Sequence, residues 1–366
     1  MGIVHYISDH LITLPAIALT FGLVIYLHEF GHFLVCRLLK IRVDAFAFGF
    51  GPEVWSKVKD GTKYSINWIP LGGYVKPAGE TLDDAKGAPD EFFSKPWYDR
   101  IWVHLAGPAM NYILAFLIFT GVIWIAGLPM PVSDPVLGEL LENYPAYSAG
   151  LREGDRILTL DGHKIGDWEQ LAYMIHARSG QTIALTYERG GKQLSVSVTP
   201  IFEDGEGHIG ITQGTVMKHI GFFKSAGMGA YQCWYWTWKT ITTLASKIYH
   251  REKPDLAGPV GIASMINQAA HSGFADFIFL IGLISVAVGV FNLFPIPVLD
   301  GGQCVLFLWE GISRKKLTEK VFVVANSMGF AFLLCVLVFA TYGDLMRMFG
   351  NHSVKTAPPP AADTKK

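Results

Sequence analysis

Four long runs without Asp, Glu, Lys or Arg constrain this chain before anything else does: His10–His28, Ile101–Ser133, Phe277–Leu299 and Val321–Gly343. A hydrocarbon core of ~30 Å needs about 20 helical residues to cross it, so each run is long enough to span. One such run could be a buried helix of a large soluble protein, but four in a single chain of 366 residues point to a membrane. Composition agrees, because charged residues make up only 17%, against roughly 25% in soluble domains. The first run does not read as a cleaved signal peptide. It lacks a basic leading segment, and its apolar character continues past His32 to Val35. The formal net charge of −1 offers nothing to nucleic acid as a partner. The four cysteines, Cys36, Cys233, Cys304 and Cys335, are scattered without a CxxC pair, which argues against a disulfide framework or a thiolate metal site.

Basic residues near the span ends set the orientation. The link 301–320 holds Arg314, Lys315, Lys316 and Lys320. Arg37, Lys40 and Arg42 follow the first run, and Lys95 and Arg100 precede the second. These links are expected in the cytosol, with both termini and the segment between spans two and three outside.

That middle segment changes character over 134–203. Strand-like stretches occur at 156–162, 182–188 and 193–199, the last two flanking Arg189-Gly190-Gly191-Lys192, a hairpin signal. Between the first and second, 167–178 reads as a helix capped by Asp167, with Leu171, Met174 and Ile175 on one face. The stretch "YSAGLREGDRILTLDGHKI", 147–165, resembles bacterial PDZ domains, which bind extended peptides by adding a strand to a sheet edge. Residues 204–273 are expected as an interfacial amphipathic region. Its stretch "YQCWYWTWK", 231–239, supplies aromatic rings suited to the membrane interface, although a short fifth span is the alternative. The Pro/Ala-rich tail 351–366 is expected to be disordered.

His28 and His32 stand four apart in "YLHEFGHFLV", which puts both imidazoles on one helix face with Glu29 beside them. This is H-E-x-x-H, the pattern of zinc hydrolases: two ligands and a general base. The plain alternative is a pair of packing histidines beside a buried glutamate, but a charge at mid-bilayer costs ~2.5–3.5 kcal/mol even on a lenient scale. A third ligand is needed. Cys36 continues the spacing from His32; Asp300 in "NLFPIPVLDGG" is the better candidate, because Pro295 and Pro297 break the helix there. The alternative for Asp300 is an ordinary aspartate at a helix end. Given the predicted orientation, His28 and Asp300 fall at similar depth near the cytosolic face.

Taken together, "HEFGH" at 28–32, "FGFGP" at 48–52, "IPLGGYVKPAGE" at 69–80, "AGPAMN" at 106–111, the PDZ-like motif, "LAGPVGI" at 256–262 and "NLFPIPVLDGG" at 292–302 resemble the site-2 protease family of intramembrane zinc metalloproteases, specifically its RseP-type (sigma-E regulator) branch. The resemblance implies that His28, His32 and Asp300 hold Zn2+ and that Glu29 is catalytic. It further implies that Asn292, Pro295 and Pro297 help position substrate, and that Tyr64–Ala78, with Gly72, Gly73 and Tyr74, forms a membrane-reentrant β-hairpin that pairs with it. Well-studied members of that branch carry two PDZ domains, whereas one is visible here. The expected fold is therefore a polytopic α-helical membrane protein with four transmembrane helices, a reentrant β-hairpin and one extracytoplasmic α+β PDZ domain. The expected divisions are 1–133, holding spans one and two; 134–203, the PDZ domain; 204–273; 274–350, holding spans three and four; and the tail. The expected partners are the lipid bilayer and single-span membrane proteins already trimmed by another protease, such as anti-sigma factors, or remnant signal peptides. The expected place is a bacterial inner membrane.

Overall fold

A computed structural model describes residues 2–81, 83–203, 205–250 and 257–350. The expected disorder of 351–366 lies outside the described residues. In chain order the elements are α1 (Gly2–Leu38), β1 (Val43–Lys59), β2 (Thr62–Pro77), α2 (Trp97–Ala126), β3 (Leu128–Pro131), β4 (Leu137–Leu140), α3 (Pro145–Ser148), β5 (Arg156–Leu160), β6 (His163–Lys164) and α4 (Trp168–His176). They continue with β7 (Ile183–Arg189), β8 (Lys192–Val198), β9 (Ile201–Glu203), β10 (Glu206–His208), β11 (Ile211–Gln213) and β12 (Thr215–Lys218). The rest is helical: α5 (Phe222–Tyr249), α6 (Pro259–Ser272), α7 (Phe274–Asn292), α8 (Asp300–Ser313) and α9 (Glu319–Gly350). The chain divides into two compact units, one of Met1–Val122 with Phe223–Lys366, the other of Ile123–Phe222.

Among the described residues, four helices are long and apolar enough to cross a membrane, over Ile12–Leu38, Trp97–Ala126, Phe274–Asn292 and Glu319–Arg347. The second is shorter at its far end than its uncharged run, because the chain turns extended at Leu128. The third stops at Asn292, before Pro295 and Pro297. Ala16, Val24, Leu114, Ile266, Phe277, Leu280 and Ile281 bring α1, α2, α6 and α7 into one apolar core. Glycine decides how closely α1 and α2 meet. A Cβ on Gly31 would lie 2.3 Å from the Ala106 carbonyl oxygen, so no other residue permits this crossing.

The β1–β2 pair is larger than the hairpin expected from Tyr64. Its turn is Asp60-Gly61, with φ of 50° and 79°, flanked by the Lys59–Thr62 pair, the two-residue geometry that Asp-Gly favours. β2 then doubles back. Phe46 pairs with Tyr64 on one side and with Val75 on the other, and Phe48 likewise pairs with Ile66 and Gly73. The first half of β1 is thus an inner strand, and 73–77 is an outer one. Trp55, Val58 and Trp68 on this sheet are 51%, 68% and 70% exposed, an apolar surface that water would not favour.

The second unit is built as the sequence suggests over 156–198, with one extension. Its four-stranded sheet runs β6-β5-β7-β8, and Gly190-Gly191 closes the β7–β8 hairpin between Arg189 and Lys192. Asp167 caps α4 by accepting from the Gln170 N–H at 2.8 Å. Leu171 and Ile175 of α4 pack with Ile157, Leu160, Ile183 and Leu185. The extension corrects the expected division at 204. Residues 206–218 do not belong with the amphipathic helix but carry β10, β11 and β12, paired with β9, β4 and β3. Short alternating stretches of three or four residues are too brief to announce themselves, and only their partners reveal them. The amphipathic segment proper is α5, on which Tyr231, Trp234, Tyr235 and Trp238 are exposed.

Candidate active site

Three polar side chains converge within the first unit. His28 and His32 project from adjacent turns of α1, and Asp300 is the first residue of α8, 268 positions after His32. The loop 293–299 sets Asp300 in place. A Cβ on Gly301 would lie 2.2 Å from the Leu293 carbonyl oxygen, and one on Gly302 would lie 2.1 Å from that of Ile296. The "DGG" sequence is thus what lets α8 start against its own approach loop. In that loop Val298 has a φ of 85°, a conformation that costs a β-branched residue of order 1–3 kcal/mol and is found where surrounding structure enforces it.

The donor atoms face one another. His28 Nε2 lies 3.2 Å from His32 Nε2 and 3.1 Å from Asp300 Oδ2. His32 Nε2 lies 3.6 Å from Asp300 Oδ1. All three side chains are nearly buried, at 7%, 8% and 8% exposure. His32 Nδ1 donates to the Val103 carbonyl at 2.7 Å, which leaves a lone pair on Nε2. His28 Nδ1 lies 3.1 Å from the Asn111 amide. Asn111 Oδ1 is buried with no partner among the described residues, and the amide turned over would accept from Nδ1–H, leaving His28 Nε2 a lone pair too. Asp300 Oδ2 also lacks a hydrogen-bond partner among the described residues. Acceptors buried face to face call for a shared cation. Two imidazoles and a carboxylate whose donors all fall within 4.8 Å suit zinc with a position left open. The site also needs the glycine of "AGPAMN": a Cβ on Gly107 would lie 2.4 Å from His32 Nε2 and 2.7 Å from His28 Cε1.

Glu29 lies beside this cluster on a cavity of about 540 Å³, and its Oε2 accepts from the Val75 N–H at 3.2 Å. The outer strand of the β1–β2 sheet is thereby tied to the candidate base. Asn292 lines the same cavity. Gly72, Gly73 and Tyr74 lie on β2, but the residues of that strand that reach the cavity are Val75 and Pro77. Pro295 and Pro297 shape the 293–299 loop and are not among the lining residues; the Pro297 carbonyl packs against Gly329 of α9. Cys36 is fully buried in an apolar cluster with Ile41, Val43, Phe92 and Phe307; it does not itself line the cavity or join the group of His28, His32 and Asp300, so the alternative third ligand is not favoured. Cys304 follows Asp300 by one turn, but burial pushes its thiol up to about 12, so it stays protonated.

Sequence reasoning passed over His104. Its Nδ1 lies 2.9 Å from Asp300 Oδ1, and its ring packs at 31° to Phe307 with centroids 5.7 Å apart. It carried a signal, being the one histidine inside the uncharged run 101–133.

Residues 16–336 match Peptidase family M50. The chain belongs to that family. A protein of Agrobacterium fabrum provisionally named as a zinc metalloprotease is 34% identical over 362 residues, covering 91% of this chain and 95% of its own. Zinc metalloprotease RasP of Geobacillus kaustophilus is 28% identical over 411 residues, covering 90% and 96%. The PDZ domain of an SdrC-like protein of Listeria innocua aligns to 24% of this chain and 100% of its own at 28% identity, with a TM-score of 0.20, too low to establish a shared fold. The M50 chain is therefore a site-2-type zinc metalloprotease and, with its four apolar helices, a multi-pass protein of the inner membrane.

Proposed function

We propose that this protease cuts peptide bonds inside the membrane-spanning segments of single-span proteins, with His28, His32 and Asp300 as zinc ligands and Glu29 as the catalytic base. Zinc bound there supplies a Lewis acid and lowers the pKa of water at the site. Glu29 takes the water's proton and returns it to the leaving amine. Val103 and Asn111 fix the tautomers of His32 and His28, so that both present Nε2.

The observation that carries the choice of substrate is the Val75–Glu29 hydrogen bond. A spanning helix hides its carbonyls in its own hydrogen bonds and must unwind before it can be cut. Strand 73–77 is paired with β1 on one side, while Val75 turns its N–H toward Glu29 on the other. An unwound segment added along that side regains backbone hydrogen bonds next to the base. The exposed Trp55, Val58 and Trp68 support insertion of this sheet into the membrane, which is the reentrant reading. Basic residues at 314–320 and 37–42 support both termini outside and the site near the cytosolic side. The Ile123–Phe222 unit, read as PDZ-like, screens substrates already trimmed outside, anti-sigma factors or remnant signal peptides among them, as part of regulated intramembrane proteolysis.

The test uses purified wild type and Glu29→Gln in detergent with a single-span reporter and an unfolded soluble protein. Cleavage of the single-span reporter alone, lost in Glu29→Gln, is the expected result. Equal cleavage by both enzymes removes Glu29 from catalysis, and preference for the soluble protein overturns the intramembrane reading.

A further inference from the structure

A second cluster of two histidines and a carboxylate occurs in the Ile123–Phe222 unit. His176 ends α4, and Glu206 and His208 bracket Gly207 in β10. One donor atom from each lies within 4.8 Å of the others. His176 Nδ1 and Glu206 Oε2 are 2.8 Å apart. The rings of His176 and His208 are 5.0 Å apart at 46°.

The arrangement is enforced by packing. A Cβ on Gly207 would lie 2.7 Å from the Ile175 carbonyl oxygen and 3.0 Å from the Ser179 N. Only glycine lets β10 press onto the end of α4, and that approach brings its two neighbours to His176. The 2.8 Å contact accounts for His176 with Glu206, but leaves the second imidazole beside them unexplained. Two neutral imidazoles and a carboxylate are the donor set of three-ligand zinc sites, and borderline divalent metals prefer it to the all-oxygen sets that calcium and magnesium take. Donors around a tetrahedral zinc stand about 3.3–3.6 Å apart. Glu206 is exposed, so its torsions are free to close the set. The strands it joins are short: β9–β10 pairs only Glu206–Glu203, Gly207–Phe202 and His208–Ile201, and so small a hairpin gains little stability from its own pairing.

We propose that His176, Glu206 and His208 form a second site for zinc or a zinc-like divalent cation, which staples the β9–β10 hairpin to α4. His176 and His208 also line a cavity of about 140 Å³ with Tyr144, Trp168, Ile175 and Ile209, so the ion stiffens one wall of that cavity. The site depends neither on the catalytic centre nor on the reading of this unit as PDZ-like.

The test is equilibrium dialysis of the full-length detergent-solubilised protein against Zn2+, with the metal counted per chain. Wild type is expected to take up one equivalent more than the His176→Ala/His208→Ala variant, which keeps its proteolytic activity. Equal uptake by the two overturns the site. Should the double variant not fold, hydrogen exchange of wild type decides. Added Zn2+ is expected to slow exchange in the 201–208 peptide, with the catalytic zinc already in place. Unchanged exchange there overturns the proposal.

Discussion

Two clusters of the same composition, two histidines and a carboxylate, sit in different surroundings. His28, His32 and Asp300 are nearly buried, and each is held by a further group: Asn111, Val103 and His104. His176, Glu206 and His208 are half-buried or exposed, and the packing of Gly207 on α4 is what gathers them. The same donors therefore suit different tasks. A buried set with fixed tautomers is pre-organised and keeps its metal; a half-solvated set pays ordering entropy on binding and releases it more readily.

The largest effects that could break this comparison lie at the buried cluster. Asp300→Ala is expected to abolish tightly held zinc and activity together, read by metal analysis and reporter cleavage. Glu29→Gln is expected to keep the zinc and lose about 10²–10⁴-fold in cleavage rate. Full activity in either variant would dissolve the assignment. Next comes Gly107→Ala, whose Cβ would press on both imidazoles. It should destabilise the first unit by about 1–3 kcal/mol and weaken zinc, seen as a lower midpoint on heating and earlier loss of metal to chelator.

Smaller effects sharpen the contrast. His104→Ala removes the partner of Asp300 Oδ1 without removing a ligand, so zinc affinity should fall about 10–100-fold. Cleavage at saturating zinc should fall less, a split that general unfolding would not produce. A graded chelator series should strip the His176 cluster before the buried one; simultaneous loss would mean that burial does not separate them. The smallest expected change is in Asp167→Ala, which deletes the α4 cap. It should loosen α4 by about 1 kcal/mol, read by hydrogen exchange of 168–176, and leave the buried cluster untouched.

Periodicity and charge made the spans legible, and spacing made the candidate ligands on α1 legible. The uncharged runs carry four helices because lipid leaves an apolar run of that length little other choice. "HEFGH" marked His28 and His32 as candidate ligands beside Glu29 because i and i+4 share a helix face whatever the tertiary fold. The sheet was only half legible. Asp60-Gly61 marks its turn, but the return of 73–77 to the far side of β1 follows from the kink near Gly72, with its φ of 142°, and from packing on α1. His104 was missed because a lone histidine in an apolar run has no spacing to announce it.

The sequence by itself determined that the chain enters a membrane, where the two histidines and the glutamate of the proposed site lie, and that residues 156–198 form a small α+β unit. These are local properties, read from hydropathy, helical period and turn residues. Only the tertiary structure decided that Asp300, rather than Cys36, completes the buried cluster. It also decided that His104 steadies Asp300, that Val75 reaches Glu29, and that 206–218 joins the second unit. Most of those are contacts between residues far apart in the chain, several of them permitted by a glycine that lets backbones approach, which no local pattern encodes.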